Sequence, residues 1–181
     1  MLYYTDENVS FMIYGMLIDT ATNRNVTEQR LRKLAALDVT QLPPLDMAIK
    51  RVKGDGKRVI RVFSDPMCPF CKRLESELER INNVTIYVYP LALEAKFPGT
   101  TALAKSIWCS GDKGKAWEDW MLKAVRPSAK TDCANPIDQV YSFAAKLKIN
   151  ATPTLVFADG AVVPQLIGAA DLERFLNDTP K

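Results

Sequence analysis

Apolar and polar residues alternate in several short segments of the chain, and this pattern predicts β-strands. The segments with this pattern are 2–5, 11–20, 58–63, 84–88, 155–157 and 161–163. The last two flank the pair Asp159-Gly160, which is typical of the tight turn in a β-hairpin. The sequence therefore predicts a hairpin near each end of the chain, with longer strands between them.

Between these strands, apolar residues recur every three or four positions, which predicts α-helices. The predicted helices cover 25–37, 68–81, 100–126 and 137–147, and a last helix begins at Asp171. The order strand, helix, strand over 58–88 is that of a βαβ unit, in which the two strands are parallel. We therefore expect a mixed α/β (α+β) fold.

A proline-rich break at Leu42-Pro43-Pro44-Leu45 predicts a domain boundary, because two prolines do not fit inside a regular element. The expected organisation is an N-terminal segment over 1–38, a linker over 39–56 and a C-terminal domain over 57–181. A hairpin is marginally stable alone, so the apolar residues of the N-terminal one need a partner surface. We expect its edge to pair with a second copy of the chain, and a hairpin packed on the main domain is the alternative.

The composition fits a globular protein that can bury a core, with 181 residues, 48% of them hydrophobic, and a net charge of +3. Basic residues cluster in the predicted linker and the strand after it, without aromatic residues among them. The cluster consists of Lys50, Arg51, Lys53, Lys57, Arg58 and Arg61. A nucleic-acid-binding surface would interleave aromatic residues, so the cluster indicates a solvated face and no nucleic acid partner.

The chain contains no histidine, which excludes a Cys–His nucleophile, a histidine base and a histidine-ligated metal. Its cysteines form one CxxC motif and two widely separated single positions, whereas a structural zinc site needs two CxxC knuckles. We therefore predict no metal and no cofactor.

No stretch approaches the ~20 apolar residues of a membrane span. The first residues lack the basic region and apolar run of a signal peptide, so we expect a cytosolic chain or a mature form whose leader has been removed. An even number of cysteines, two of them outside the CxxC motif, favours an oxidising compartment.

The motif Cys68-Pro69-Phe70-Cys71 follows a predicted strand and begins a predicted helix. Residues three apart share a helical face, so both sulfurs are expected at the helix N-terminus, where free N–H groups and the helix dipole favour a thiolate. With Lys72 beside it, Cys68 is expected to be ionised and open to solvent, and Cys71 to stay protonated. The motif predicts a thiol–disulfide exchange centre; half of a zinc site and a structural disulfide are the alternatives.

The segment Asn150-Ala151-Thr152-Pro153-Thr154 precedes the C-terminal hairpin. On local sequence alone, a trans proline in a turn is the default interpretation. Together with the CxxC motif, however, Pro153 is predicted to be cis and to leave the preceding backbone free to pair with an extended peptide.

Three segments of the chain resemble the periplasmic disulfide isomerase family typified by DsbC and DsbG. They are Phe63-Ser64-Asp65-Pro66-Met67-Cys68-Pro69-Phe70-Cys71-Lys72, Ser106-Ile107-Trp108-Cys109 and Ala151-Thr152-Pro153-Thr154. The resemblance extends over nearly the whole chain, including the N-terminal hairpin and the helix at 25–37. A CxxC motif alone is common to thioredoxin-like folds, but its combination with the Trp-Cys helix and the hairpin is specific to this family.

The resemblance implies a thioredoxin-like catalytic domain with a helical insertion at about 98–136, preceded by a dimerisation segment that makes a V-shaped homodimer. It implies that Cys68 attacks a substrate disulfide, that Cys71 resolves the mixed disulfide, and that Thr152 and cis Pro153 bind substrate. Pro69, Phe70 and Lys72 would support the site.

The resemblance also implies a structural disulfide between Cys109 and Cys133, with free buried thiols as the alternative. The implied substrates are misoxidised or partly folded secreted proteins in the periplasm, and the implied electron donor is a membrane reductase of the DsbD type.

The chain departs from the family pattern at two places. Pro69-Phe70 stands where DsbC usually has Gly-Tyr, and this dipeptide does not separate isomerase, oxidase and reductase preferences. The chain also begins close to the hairpin, so we expect a shortened dimerisation segment. A dithiol oxidase of DsbA-like activity and a chaperone-like module that binds unfolded proteins are the rival functions.

Overall fold

The computed structural model describes residues 2–178. They fall into two compact units, one ending at Ala36 and one beginning at Leu37. This division differs by two residues from the predicted end of the N-terminal segment.

The first unit contains short antiparallel strands followed by a helix. Its elements are β1 (Tyr3–Thr5), β2 (Met12–Tyr14), β3 (Ile18–Asp19), β4 (Arg24–Asn25) and α1 (Val26–Leu34). β1 pairs with β2, and β3 pairs with β4, so the single strand predicted over 11–20 is divided between two partners. The division occurs because the backbone of Leu17 bonds to the start of α1, accepting from Val26 N at 2.9 Å and donating to Thr27 Oγ1 at 2.8 Å.

The second unit is built on a sheet with the strand order β5-β7-β6-β8-β9. Its strands are β5 (Ile49–Lys53), β6 (Arg58–Ser64), β7 (Val84–Pro90), β8 (Thr154–Phe157) and β9 (Val162–Val163). β6 and β7 are parallel, as the predicted βαβ unit requires, and the other neighbouring pairs are antiparallel. The turn between β8 and β9 has Gly160 at φ 81°, a conformation that glycine adopts without steric cost.

Helices cover both faces of this sheet. They are α2 (Pro69–Leu78), α3 (Thr100–Trp108), α4 (Lys113–Lys123), α5 (Ile137–Lys146) and α6 (Ala169–Asp178). The adjacent residues Val62 and Phe63 of β6 belong to different buried clusters, which shows that the sheet is apolar on both sides. Together with the parallel β6–β7 pair, this confirms the predicted mixed α/β fold.

The helical region predicted over 100–126 consists of α3 and α4, with a break between them. Asp112 caps α4 by accepting a hydrogen bond from Lys115 N at 2.9 Å, which fixes the start of the second helix. Within residues 2–178, no helix is long and apolar enough to cross a membrane.

The predicted linker over 39–56 contains β5, which pairs in register with β7 from Ile49 to Lys53. The prediction missed this strand because one of its two inward-facing positions, Arg51, is charged and hides the alternation. The proline-rich break also packs on the sheet, since Tyr89 Oη donates to Pro43 O at 2.7 Å. Residues 49–53 are therefore part of the second unit's sheet, with Ile49 and Arg51 buried.

The prediction of a solvated basic face was wrong for Arg51, which is only 6% exposed. Its guanidinium contacts Glu75 and donates to Glu79 and Glu118 at 2.8 Å each. Glu75 is equally buried and accepts a further hydrogen bond from Trp117 Nε1 at 2.7 Å. A buried ion pair therefore joins β5 to the middle of α2.

Candidate functional site

The two cysteines of the CxxC motif lie at the N-terminus of α2, directly after β6. Cys68 is the N-cap residue, and Pro69 occupies the first helical position, where its missing N–H costs nothing. The backbone N–H of Cys68 donates to Asp65 O at 3.1 Å, which shapes the turn between strand and helix. The local sequence thus places both sulfurs at one helix end, as expected.

Cys68 is the more acidic thiol of the pair. A hydrogen bond from the Cys71 side chain is the main factor that lowers the pKa of Cys68 to about 6. Burial opposes this shift, and hydrogen bonds from the backbone of Cys71 and Phe70 and from the Thr152 side chain reinforce it. Most Cys68 side chains are therefore thiolates at pH 7, which is the form that attacks disulfides.

Cys71 is the less acidic thiol of the pair. Burial raises the pKa of the Cys71 thiol strongly, and its hydrogen bond to Cys68 adds to the increase. The side chain is fully buried. At neutral pH, one thiol of the motif is therefore mostly ionised, and the other retains its proton.

The expectation that Cys68 is open to solvent was wrong, because the residue is only 2% exposed. In its thiol form the sulfur contacts the carbonyl oxygen of Thr152 at 3.4 Å. This contact comes from a segment 84 residues away in the chain, which local sequence could not place. The Thr152 carbonyl therefore lies directly against the sulfur of Cys68.

The segment with Thr152 and Pro153 lies beside the motif, and the peptide bond between these two residues is cis. The register of the sheet explains the position, since Phe63 of β6 pairs with Thr154 of β8. The residues that follow Phe63 and precede Thr154 consequently meet at the same edge of the sheet.

The other residues predicted to support the site surround the motif at the surface. Phe70 is 55% exposed, and Pro69 is exposed as well. The ammonium of Lys72 lies 4.2 Å from the centre of the Trp120 ring, a cation–π contact. Hydrogen bonds are the main factors that lower the pKa of Cys68, and the expected contribution of Lys72 stays a prediction.

Sequence reasoning missed Asp65, which organises the approach to the motif. The buried carboxylate accepts hydrogen bonds from Met67 N, Leu93 N and Thr100 Oγ1, each at 2.7 Å. Burial raises the pKa of Asp65, and these hydrogen bonds oppose that shift. An acidic residue directly after β6, three positions before a CxxC motif, was the available sequence signal.

The other two cysteines form a disulfide. Cys109, at the end of α3, is bonded to Cys133 with a Cα–Cα distance of 5.8 Å. This bond closes the segment that contains α4. Within residues 2–178, no cluster of cysteine, aspartate or glutamate side chains is arranged to hold a metal ion.

Comparison with known proteins gives consistent matches. The family described as "Thioredoxin-like domain" matches residues 45–178. The chain is 40% identical over 177 residues to the probable thiol:disulfide interchange protein DsbC of Bordetella pertussis, and 33% identical over 187 residues to the DsbC of Salmonella typhimurium. The first match covers 97% of this chain and 61% of the Bordetella protein. The second covers 100% of this chain and 74% of the Salmonella protein. The chain thus spans less than two thirds of the Bordetella relative.

A solved structure gives the same result for the fold. The disulfide interchange protein from Neisseria gonorrhoeae superimposes with a TM-score of 0.72 at 40% sequence identity. The superposition covers 75% of this chain and 96% of that one.

Proposed function

The chain belongs to the thioredoxin-like DsbC family of thiol:disulfide interchange proteins, and we propose that it isomerises or reduces non-native disulfides in partly folded secreted proteins. The observation that carries the proposal is that the pKa values of its two free thiols are shifted in opposite directions. Cys68 has a pKa of about 6, whereas the pKa of Cys71 is raised well above its ordinary value. An enzyme of thiol–disulfide exchange needs one reactive thiolate and one thiol held in reserve.

The reaction begins when the Cys68 thiolate attacks one sulfur of a substrate disulfide. A bond forms between Cys68 Sγ and that sulfur, the substrate S–S bond breaks, and the other sulfur leaves as a thiolate that takes a proton from water. A second substrate thiolate can then displace Cys68, which isomerises the substrate. Alternatively Cys71 displaces it, which reduces the substrate and leaves a Cys68–Cys71 disulfide.

The surface near the site suits a polypeptide substrate. A cavity of about 750 Å³ lies between the loop after β7 and α5, with Leu93, Tyr141 and Asn150 among its lining residues. Asn150 lies two residues before Thr152, so a chain bound along Thr152 passes close to this cavity. Its size is within the range of pockets that bind organic ligands.

An isomerase must be kept reduced, so the proposal includes an electron donor. We infer a membrane reductase of the DsbD type as the partner and the periplasm as the compartment. The Cys109–Cys133 disulfide supports an oxidising compartment, because such bonds rarely persist in the cytosol.

Refolding of scrambled ribonuclease A tests the proposed activity. We expect the reduced protein, in a glutathione buffer, to restore ribonuclease activity much faster than the buffer alone. The same protein should be a poor oxidant of reduced ribonuclease. Efficient oxidation without isomerisation would contradict the proposal. It would favour the oxidase alternative, since a low pKa of the attacking cysteine also suits a dithiol oxidase.

The first unit supports a homodimer. Its hairpin and the residues that follow it carry large apolar side chains that are each more than half exposed: Phe11, Met12, Ile13, Tyr14 and Met16. Apolar strands with a free edge commonly pair with another chain. We expect a solution mass of twice 20.3 kDa by light scattering, and Ile13→Lys should lower it to that of one chain. A single-chain mass for the unchanged protein would contradict the dimer.

A further inference from the structure

Ser64, the last residue of β6, carries a polar side chain in an unusual, fully buried position. The residue is 1% exposed, and its hydroxyl oxygen is buried without a hydrogen-bond partner among residues 2–178. Burying a hydroxyl without a partner is unfavourable, and buried polar groups almost always have one. An apolar residue of similar size would avoid this cost, so the hydroxyl needs an explanation.

The Cys71 thiol lies on the same side of the sheet as this hydroxyl. Residues two apart in a strand point to the same side of the sheet, so Ser64 lies on the same side as Val62, which packs in one buried cluster with Cys71. The side chain of Ser64 also lowers the pKa of Cys71, against the larger effect of burial. Cys71 is meanwhile hydrogen-bonded on another side to Cys68. In the reduced protein, the proton of Cys71 is therefore directed at the Cys68 thiolate, and the Ser64 hydroxyl has no anion to stabilise.

The situation changes once Cys68 is bonded to a substrate. Cys68 then carries no charge, and Cys71 must lose its proton in a fully buried place before it can attack. The described carboxylate nearest to the motif in sequence, Asp65, is already engaged by three donors. Beside the backbone N–H of Asp65, which also lowers the pKa of Cys71, the Ser64 hydroxyl is a buried donor without a partner among residues 2–178, on the side of the sheet where this charge develops.

We propose that Ser64 donates a hydrogen bond to the Cys71 sulfur as it becomes a thiolate, and thereby accelerates resolution of the mixed disulfide. This inference rests on the proposed function, because it concerns the second step of that reaction. The Cys71 proton passes to solvent, a bond forms between Cys71 Sγ and Cys68 Sγ, and the bond from Cys68 to the substrate sulfur breaks. The substrate sulfur leaves as a thiolate, and Ser64 keeps its own proton.

Reaction of the reduced protein with 5,5′-dithiobis(2-nitrobenzoate) separates the two steps. Attack by Cys68 releases one coloured thiolate, and displacement by Cys71 releases a second. For Ser64→Ala we expect the first phase to stay within about twofold of the unchanged protein. The second phase should slow by about tenfold at pH 7, the effect of losing one hydrogen bond to a charged group. The pH at which the rate of the second phase increases should also be about one unit higher, since Cys71 ionises less readily in this variant.

Two further variants distinguish a chemical role from a structural one. Ser64→Thr keeps a hydroxyl and should restore most of the second phase. Thr85→Val removes another buried strand hydroxyl, one that bonds Gly56 O at 2.7 Å at the other end of the sheet, and should leave both phases unchanged.

The inference about Ser64 is overturned if Ser64→Ala leaves the second phase unchanged, or if it slows both phases equally. Absence of a rapid first phase in the unchanged protein would instead refute the proposed function.

Discussion

Replacing Cys68 with Ala is expected to abolish thiol–disulfide exchange, with the rate of ribonuclease reactivation falling to that of the glutathione buffer. Cys71 cannot substitute for Cys68, because it is fully buried and its pKa is raised far above neutral pH. Only the thiolate attacks a disulfide, so almost no reactive sulfur remains in the variant. The measurement is the initial rate of recovered ribonuclease activity.

Cys71→Ala is the matched control. It removes a thiol from the same motif but leaves the sulfur that attacks, so the variant should still form a mixed disulfide with substrate. That species should be stable enough to isolate by gel electrophoresis without reductant. Cys68→Ala should give none, and a mixed disulfide in that variant would contradict the assigned order of attack.

The pH dependence of alkylation identifies the reactive sulfur independently. The pKa of Cys68 lies below the ordinary value for cysteine, so its thiolate is present above about pH 6 and is lost as the pH falls through that value. The rate of reaction with iodoacetamide should therefore rise with a midpoint near pH 6. Removing Cys71 removes the main hydrogen bond to that thiolate, and the midpoint should move to higher pH.

Replacing Arg51 with Ala is expected to have the largest effect on stability, lowering the free energy of unfolding by about 3–5 kcal/mol. Arg51 and Glu75 are both buried and contact each other directly. Without the guanidinium, the Glu75 carboxylate remains in the core with Trp117 Nε1 as its neutral partner. An unpaired buried charge is costly, whereas the outer contacts of Arg51 to the half-exposed Glu79 and Glu118 contribute little.

Urea unfolding followed by circular dichroism measures this loss, and Arg80→Ala provides the control. The Arg80 side chain is 68% exposed, just after α2, and pairs with Glu77 near the end of that helix, so its removal should change stability by less than about 1 kcal/mol. Adding Glu75→Gln to Arg51→Ala should recover part of the loss, because it removes the unpaired charge. A loss for Arg51→Ala no larger than for Arg80→Ala would contradict the importance of the buried pair.

Much of the fold followed from patterns that are local in sequence. The parallel pair of β6 and β7, the helix beginning at the CxxC motif and the C-terminal hairpin were predicted because each depends on the spacing of apolar residues or on a short turn motif. Strand β5 was missed, since Arg51 occupies an inward-facing position where the pattern requires an apolar residue. A charged residue in the core looks the same in sequence as one on the surface.

The sequence by itself determined the chemistry of the site: two cysteines three residues apart at a helix start, a Thr-Pro pair before a strand, and no histidine. Only the tertiary structure decided the surroundings that control this chemistry. It placed Thr152 against Cys68, buried Ser64 on the side of the sheet that carries Cys71, and buried Arg51 against Glu75. Spacing along the chain specifies the conformation of one segment, whereas the reactivity of a thiol depends on solvent exclusion and hydrogen bonds that distant segments supply.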